Sequence, residues 1–259
     1  MAPRALVLTG GHGYDEASFT ALCDQLPSVT VERIAHPEAA DRLHPDRVRA
    51  DVIVLYDMPG LRVRRGSPVE VIEPPASVVE GWEALLAAGV PVVALHHSIC
   101  SWPAWPRFAE IVGGRFHYAP GRLAGRDWPD SGYRHDVEQT VTVVATDHPV
   151  RAGLPPTFTL VDETYVCPVF EDAVTPLLLT DAPREDADHE STAHALLPAG
   201  AERPPWHHPP GSPYLAWHHV VERSAVVYLQ PGDGPSSFGN PTYQRLLDNT
   251  VAWAATTAP

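Results

Sequence analysis

The sequence predicts an α/β fold built on a mostly parallel central sheet, and three observations carry that expectation. The short apolar runs Ala5–Leu8, Asp51–Asp57 and Pro91–Leu95 read as strands, the later two buried on both faces. Segments of helical length and pattern lie between such runs, as βαβ units require. Two of the runs stop abruptly at Thr9-Gly10-Gly11-His12-Gly13 and at His96-His97-Ser98. Polar, titratable groups directly after a buried strand mark the carboxyl edge of a sheet, where open α/β sheets bind ligands.

Taken in order, Ala5–Leu8 runs into a glycine-rich turn, and Asp15 or Ser18 caps a helix to about Pro27 with Phe19, Leu22, Cys23 and Leu26 on one face. Val29–Ile34 alternates and reads as the second strand, and Asp51–Asp57 is the third. Residues 58–76, rich in Pro, Gly and Arg, form a long loop. Ser77 caps a helix to Ala88, with Gly89 as its C′ residue, and Pro91–Leu95 is the fourth strand. A helix over Pro106–Val112 ends at Gly113-Gly114. Residues 115–220 are less regular. Thr140–Ala145, Phe158–Val161 and Pro176–Leu179 are strand-like, whereas 182–213 reads as surface loop. Ser224–Leu229 is the last strand, and Asn240-Pro241 opens a final helix whose core face is Tyr243, Leu246, Leu247, Thr250, Val251 and Ala254. No internal repeat or linker divides the chain, so one elaborated domain spans residues 1–259.

Composition narrows the function. The 259 residues are 44% hydrophobic, enough for a sizeable core. A net charge of −14 argues against a nucleic-acid partner and against an anionic membrane surface. All 18 basic residues are arginine, and without lysine neither Schiff-base chemistry nor a cofactor held as a lysine aldimine is available. No apolar run reaches the length of about 18 residues that a membrane span needs, and the N-terminal residues lack the pattern of a secretory signal, so the expected location is the cytoplasm. Cys23, Cys100 and Cys167 cannot all pair and form no C-x-x-C, which disfavours a disulfide framework and a thiolate zinc site.

Four constellations carry candidate chemistry. His96 stands just past a strand, at the position where a strand–turn–helix elbow exposes a nucleophile in hydrolases and amidotransferases, with His97 beside it. The alternative is a pair of histidines satisfied by hydrogen bonds in a packed edge. Gly11 and His12 lie in a turn whose backbone amides can face an anion or a sugar hydroxyl, without the G-x-G-x-x-G spacing of a dinucleotide site. Asp162-Glu163-Thr164-Tyr165 follows an apolar strand; neighbours in an extended chain point to opposite faces, so one of the two carboxylates is expected to face away. Asp233, after the last strand, falls on the same edge or simply in an Asp-Gly turn. The histidines of His207-His208 and His218-His219 lie in or beside Pro-rich loops and are expected to be solvated. No H-E-x-x-H spacing is present, and a divalent metal stays open as a cofactor.

Jointly, Leu8–His12, Ala94–Ser98 with Trp102, Gly113–Phe116, Asp147–Val150 with Gly153-Leu154, Asp162–Tyr165, Leu229–Gly234 and Asn240-Pro241 give the chain a family likeness. It resembles the ThuA-like (trehalose utilisation) family over about residues 4–255. The resemblance implies a flavodoxin-like three-layer sandwich of the class I glutamine amidotransferase-like kind. It also implies an enzyme of carbohydrate metabolism acting on trehalose, another glycoside or a keto-sugar. Many members look like Gly-His after the last strand, where this chain has Gly232-Asp233. Glutamine amidotransferases need an elbow cysteine and a late His-x-Glu pair; here those positions hold His96 and Gln230–Asp233, so thiol glutaminase activity is not expected. The expected chemistry is acid–base work by His96, His97, Glu163 and Asp233, with Gly11, His12, Trp102 and Tyr165 on a small sugar-like ligand. A non-catalytic binding or assembly module and a metal-dependent hydrolase are the alternatives, and a homo-oligomer remains open.

Overall fold

Ten strands form one sheet in the computed structural model, which describes residues 2–257. They are β1 (Arg4–Gly10), β2 (Thr30–Ala35), β3 (Val52–Asp57), β4 (Val92–Leu95), β5 (Gly132–Val143), β6 (Thr157–Val166), β7 (Thr175–Thr180), β8 (Glu190–Ser191), β9 (Tyr214–Val221) and β10 (Ser224–Leu229). Helices α1 (Glu16–Asp24), α2 (Ala76–Ala88), α3 (Pro106–Val112) and α6 (Pro241–Thr256) flank it, and α4 (Thr192–Ala195) and α5 (Pro235–Phe238) are single turns. The strand order is β6-β5-β7-β9-β10-β4-β3-β1-β2, with β8 against β5. From β2 to β10 every pairing is parallel, and from β10 outward every pairing is antiparallel. With β10 as its fifth strand, the parallel half runs 2-1-3-4-5, the flavodoxin-like order.

Strand periodicity sets the layers. Along β3, Val52, Val54 and Tyr56 pack with α1 and α6 on one face, while Ile53 and Leu55 pack with α2 and α3 on the other. The expected core face of α6 is buried in full. Its Asn240 side chain accepts from the backbone N–H groups of Thr242 and Tyr243, which stabilises the helix start. Asp15 caps α1 by accepting from Ser18 N, and Gly89 closes α2 in the left-handed conformation. Ser77 is not a cap: α2 begins one residue earlier, after Pro75. No helix among the described residues is long and apolar enough to cross a membrane.

The middle of the chain departs most from the sequence reading. Thr140–Ala145 is the end of a twelve-residue strand, Gly132–Val143. Its alternation is hidden because Gln139 takes an inward position, where its Oε1 accepts from Thr180 Oγ1 at 2.6 Å. Residues 214–221 form β9, so His218 and His219 lie on a strand and not in loops. The paired histidines break an apolar pattern that Leu215, Ala216 and Trp217 otherwise carry inward. His208 is buried although its neighbours are loop. Asp162–Tyr165 lies within β6 and not after a strand.

Gly81 on α2 is fixed by packing. A Cβ there would lie 1.7 Å from the Leu43 carbonyl oxygen. Gly81→Ala gains about 1 kcal/mol of helix propensity but overpacks a backbone contact that cannot yield, a cost of about 1–3 kcal/mol or more. Urea unfolding is therefore expected to show a less stable variant; a more stable one would show that the Leu43 loop moves freely.

His148 supplies a pH-dependent contribution to stability. Burial, and then the charge of His218, push its pKa down to about 4. The unfolded chain binds a proton on this residue near pH 6.5 and the folded chain does not, so the stability it contributes is full above about pH 6.5 and is lost as pH falls toward 4. Its Nδ1 accepts from Val150 N at 3.2 Å, a role that asparagine can fill without titrating. The melting temperature of His148→Asn is expected to fall less between pH 6.5 and 4 than that of the native chain; parallel curves would remove His148 as a cause.

Candidate functional site

β4 ends in a strained turn. His96 has φ +43°, a left-handed conformation that costs a non-glycine residue about 1–3 kcal/mol unless its surroundings hold it. Here they do. The ring is 0% exposed, and its Nδ1 lies 2.6 Å from the carbonyl oxygen of Gln230, which can only accept, so Nδ1 carries a proton. The His96 carbonyl accepts from the Tyr228 hydroxyl at 2.9 Å. The elbow geometry expected of this position is present, with an imidazole where a nucleophile would stand.

The other nitrogen faces acidic groups. His96 Nε2 lies 3.1 Å from Glu163 Oε2, 3.4 Å from Asp233 Oδ1 and 2.8 Å from the Tyr165 hydroxyl. Burial opposes a charge on this ring, but hydrogen bonds to the Asp233 and Glu163 carboxylates outweigh it and raise the pKa to about 10. Asp233 is held below the usual carboxylate range, chiefly by its hydrogen bond to His96.

Glu163 reaches His96 because the sheet curls. β6 is five strand steps from β4 in the sheet order, about 24 Å in a flat sheet with strands about 4.8 Å apart, yet the two side chains are in hydrogen-bond contact. A bulge aids this closure. Asp162 pairs with Val137 and Thr164 with Arg134, so His135 and Asp136 together oppose Glu163, and Asp136 sits at φ +55°. As expected, the two neighbouring carboxylates part: Glu163 lines the cleft, whereas Asp162, also buried, turns to the loop after β10 and to α5. Asp162 accepts from the backbone N–H groups of Gly232, Asp233 and Glu163 and from Ser237 Oγ, which ties the loop after β10 to β6. Burial raises its pKa, although these donors and His96 favour the charged form.

The bulge also aims His135 at the site. Its Nδ1 lies 3.2 Å from Glu163 Oε1 and 3.9 Å from Asp233 Oδ2, and the side chain is 58% exposed. Sequence reasoning missed this residue, which lies in the stretch that looked irregular; a histidine opposite an acidic pair is visible only once the strands are paired.

The turn after β1 contributes the opposite wall. Gly11 has φ +86°, and a Cβ would come within 2.4 Å of the Met58 carbonyl oxygen, so only glycine brings the backbone this close to the end of β3. His12 then stacks on His97 with ring centroids 4.4 Å apart. Burial lowers the pKa of both histidines, that of His97 well below its usual value. The cleft has two lobes that share Val63, His97 and Tyr118. One, of about 230 Å³, is lined also by Phe116, Tyr133, His135, Glu163 and Tyr165, and the other, of about 530 Å³, by Gly11 and His12. Trp102 stands apart: it is 7% exposed, with its backbone and ring against Gly60, and it belongs to the core. Cys100 borders the smaller lobe, but burial pushes its thiol well above the usual range.

Five of the eight expected site residues, Gly11, His12, His97, Glu163 and Tyr165, line the cleft, and His96 and Asp233 cluster with His97 and Glu163. The model of the ThuA family, described as trehalose utilisation, matches residues 64–254. The chain belongs to the ThuA family. A ThuA-like protein from Parabacteroides merdae has a similar structure, at 15% identity and a TM-score of 0.67, covering 99% of this chain and 91% of that one. Another ThuA-like protein, from Bacteroides uniformis, is 18% identical with a TM-score of 0.61, covering 96% and 90%. A cytoplasmic protein from Salmonella typhimurium is similar at 12% identity and a TM-score of 0.57, covering 97% and 98%. At these identities the likeness shows the fold. No functionally curated protein matches the chain by sequence. Within this ThuA fold, the turn after β4 presents His96, and the loop after the last strand answers it with Asp233.

Asp162 holds that loop through donors that an amide cannot all satisfy. Asp162→Asn turns an NH2 group toward a backbone N–H or Ser237, and thermal unfolding is expected to show a loss of about 1–3 kcal/mol. A loss below about 0.5 kcal/mol, the range of an ordinary surface change, would mean the loop is held by other contacts.

Proposed function

We propose that this chain is an enzyme of carbohydrate metabolism that binds a small sugar-like molecule, a glycoside or a keto-sugar, and acts on it by histidine and carboxylate acid–base chemistry. One observation carries the reading: one ligating or proton-moving atom from each of His96, His97, Glu163 and Asp233 lies within 4.8 Å of the others, and two of the four residues, His97 and Glu163, line a cleft. Groups of both kinds at one point are what a step that takes a proton from one sugar atom and returns it to another requires. The lining supports a sugar. Aromatic side chains of Phe116, Tyr118 and Tyr133 offer apolar faces for ring C–H groups, while His135 and Glu163 offer polar contacts for hydroxyls. His135 is partly exposed beside Glu163, so it connects the buried carboxylate to solvent.

The described function of the family, trehalose utilisation, agrees with this ligand class. The charge of −14 makes a nucleic acid or an anionic membrane an unsuitable partner, and cytoplasmic action on a small metabolite is the expected setting. Cys100 takes no part as a nucleophile, since its thiol stays protonated.

Turnover of a panel of glycosides and keto-sugars, trehalose included, tests the reading. Glu163→Gln is expected to lower kcat by about 10²–10⁴-fold while the ligand still binds by calorimetry. If His96→Ala and Glu163→Gln leave turnover unchanged, the acid–base reading fails. If the sugar binds and no turnover is found with the native chain, a non-catalytic binding module takes its place.

A further inference from the structure

The structure assigns a second property to this cleft: we propose that His96, His97, Glu163 and Asp233 hold one divalent transition-metal ion of the zinc class. The inference rests on the cleft being the functional site, and it goes beyond acid–base chemistry by naming a cofactor.

Geometry is the first support. Zinc binds nitrogen and oxygen at about 2.0–2.2 Å, so two ligand atoms of a tetrahedral site lie about 3.3–3.6 Å apart. His96 Nε2 is 3.1 Å from Glu163 Oε2 and 3.4 Å from Asp233 Oδ1, and each of the four residues offers one ligand atom within 4.8 Å of the other three. Small side-chain adjustments complete the set.

The second support is the way the ligands are oriented. Nδ1 of His96 is committed to the Gln230 carbonyl, which leaves Nε2, facing the carboxylates, as the nitrogen that would ligate an ion by giving up its proton to solvent. A metal-bound histidine almost always shows this arrangement, with its other nitrogen donating to a carbonyl or carboxylate. The outer oxygen of Glu163 meets His135 Nδ1 at 3.2 Å, which orients that carboxylate in the same manner.

The third is an unspent group. His97 Nδ1 is buried and has no hydrogen-bond partner, while its ring is fixed by stacking on His12 and by edge contact with His96. A buried polar atom held in place without a partner calls for an explanation. Charge supplies the fourth. Among the described residues, the ion-pair partners of Glu163 and Asp233 are the imidazoles of His96 and His135, and no arginine faces either carboxylate. Buried carboxylates need a cation, and a metal ion meets that need more fully than one protonated ring. Two imidazoles and two carboxylates suit zinc, with manganese or iron as the nearest competitors. The ion would polarise a sugar carbonyl or hydroxyl in the adjoining lobe.

The test is metal binding by the full-length chain purified without a histidine tag. After treatment with chelator, titration with Zn²⁺ followed by calorimetry is expected to give one equivalent per chain at about micromolar affinity or tighter. Co²⁺ is expected to give the visible absorption of a low-coordinate nitrogen–oxygen site. Asp233→Asn and His97→Ala, both at partly exposed positions, should each weaken Zn²⁺ by at least about tenfold with unchanged circular dichroism. Weak or absent binding by the native chain overturns the proposal, as does binding that both variants retain. Sugar turnover that survives in chelator with no bound metal removes the ion and leaves the acid–base enzyme standing. Tight metal binding with no sugar ligand found removes the carbohydrate reading and leaves the metal site.

Discussion

The contact between His96 and Glu163 is the constraint on which the rest depends. The two residues are five strand steps apart in the sheet order, one just past a central parallel strand and the other on the antiparallel edge strand. Bringing them together requires the antiparallel half to curl over the carboxyl edge of the parallel half. Asp162, one residue away, anchors the same closure by gathering four donors from the late loop, α5 and its own strand. The curl therefore makes the cleft: without it, β4, β6 and β10 would present their polar ends to separate regions of solvent.

Backbone strain is concentrated where this closure meets the chemistry. His96 at φ +43° and Asp136 at φ +55° flank the acidic pair from two different strands. The first turns an imidazole out of the end of β4. The second, through the bulge, turns His135 inward from β5. Such positions persist only where the surroundings over-determine them, and here the hydrogen bonds of Gln230, Tyr228 and Glu163 do so. A buried imidazole between two carboxylates is suited to moving protons or holding a cation.

Much of the architecture was legible before any coordinates. Fully apolar β3 and β4, the glycine turn after β1 and the amphipathic α6 each follow from periodicity that burial on one or two faces imposes. The antiparallel half was read poorly because its strands carry polar residues inward: Gln139 on β5, Asp162 and Glu163 on β6. Each accepts from, or pairs with, a group distant in sequence, so the local pattern looks like loop. His218 and His219 obscured β9 in the same way.

By itself the sequence determined the parallel core and the edge on which a site would lie, since both depend on residue type within short windows. It also determined that His96, His97, Glu163 and Asp233 were the residues to watch. Tertiary structure alone decided that they meet, that Asp162 is buried against the late loop, that His135 joins them, and that Trp102 does not. The reason is physical: those outcomes are set by strand pairing, a bulge and the curl of a sheet, contacts between residues as much as 134 positions apart, and no local pattern of hydrophobicity encodes them.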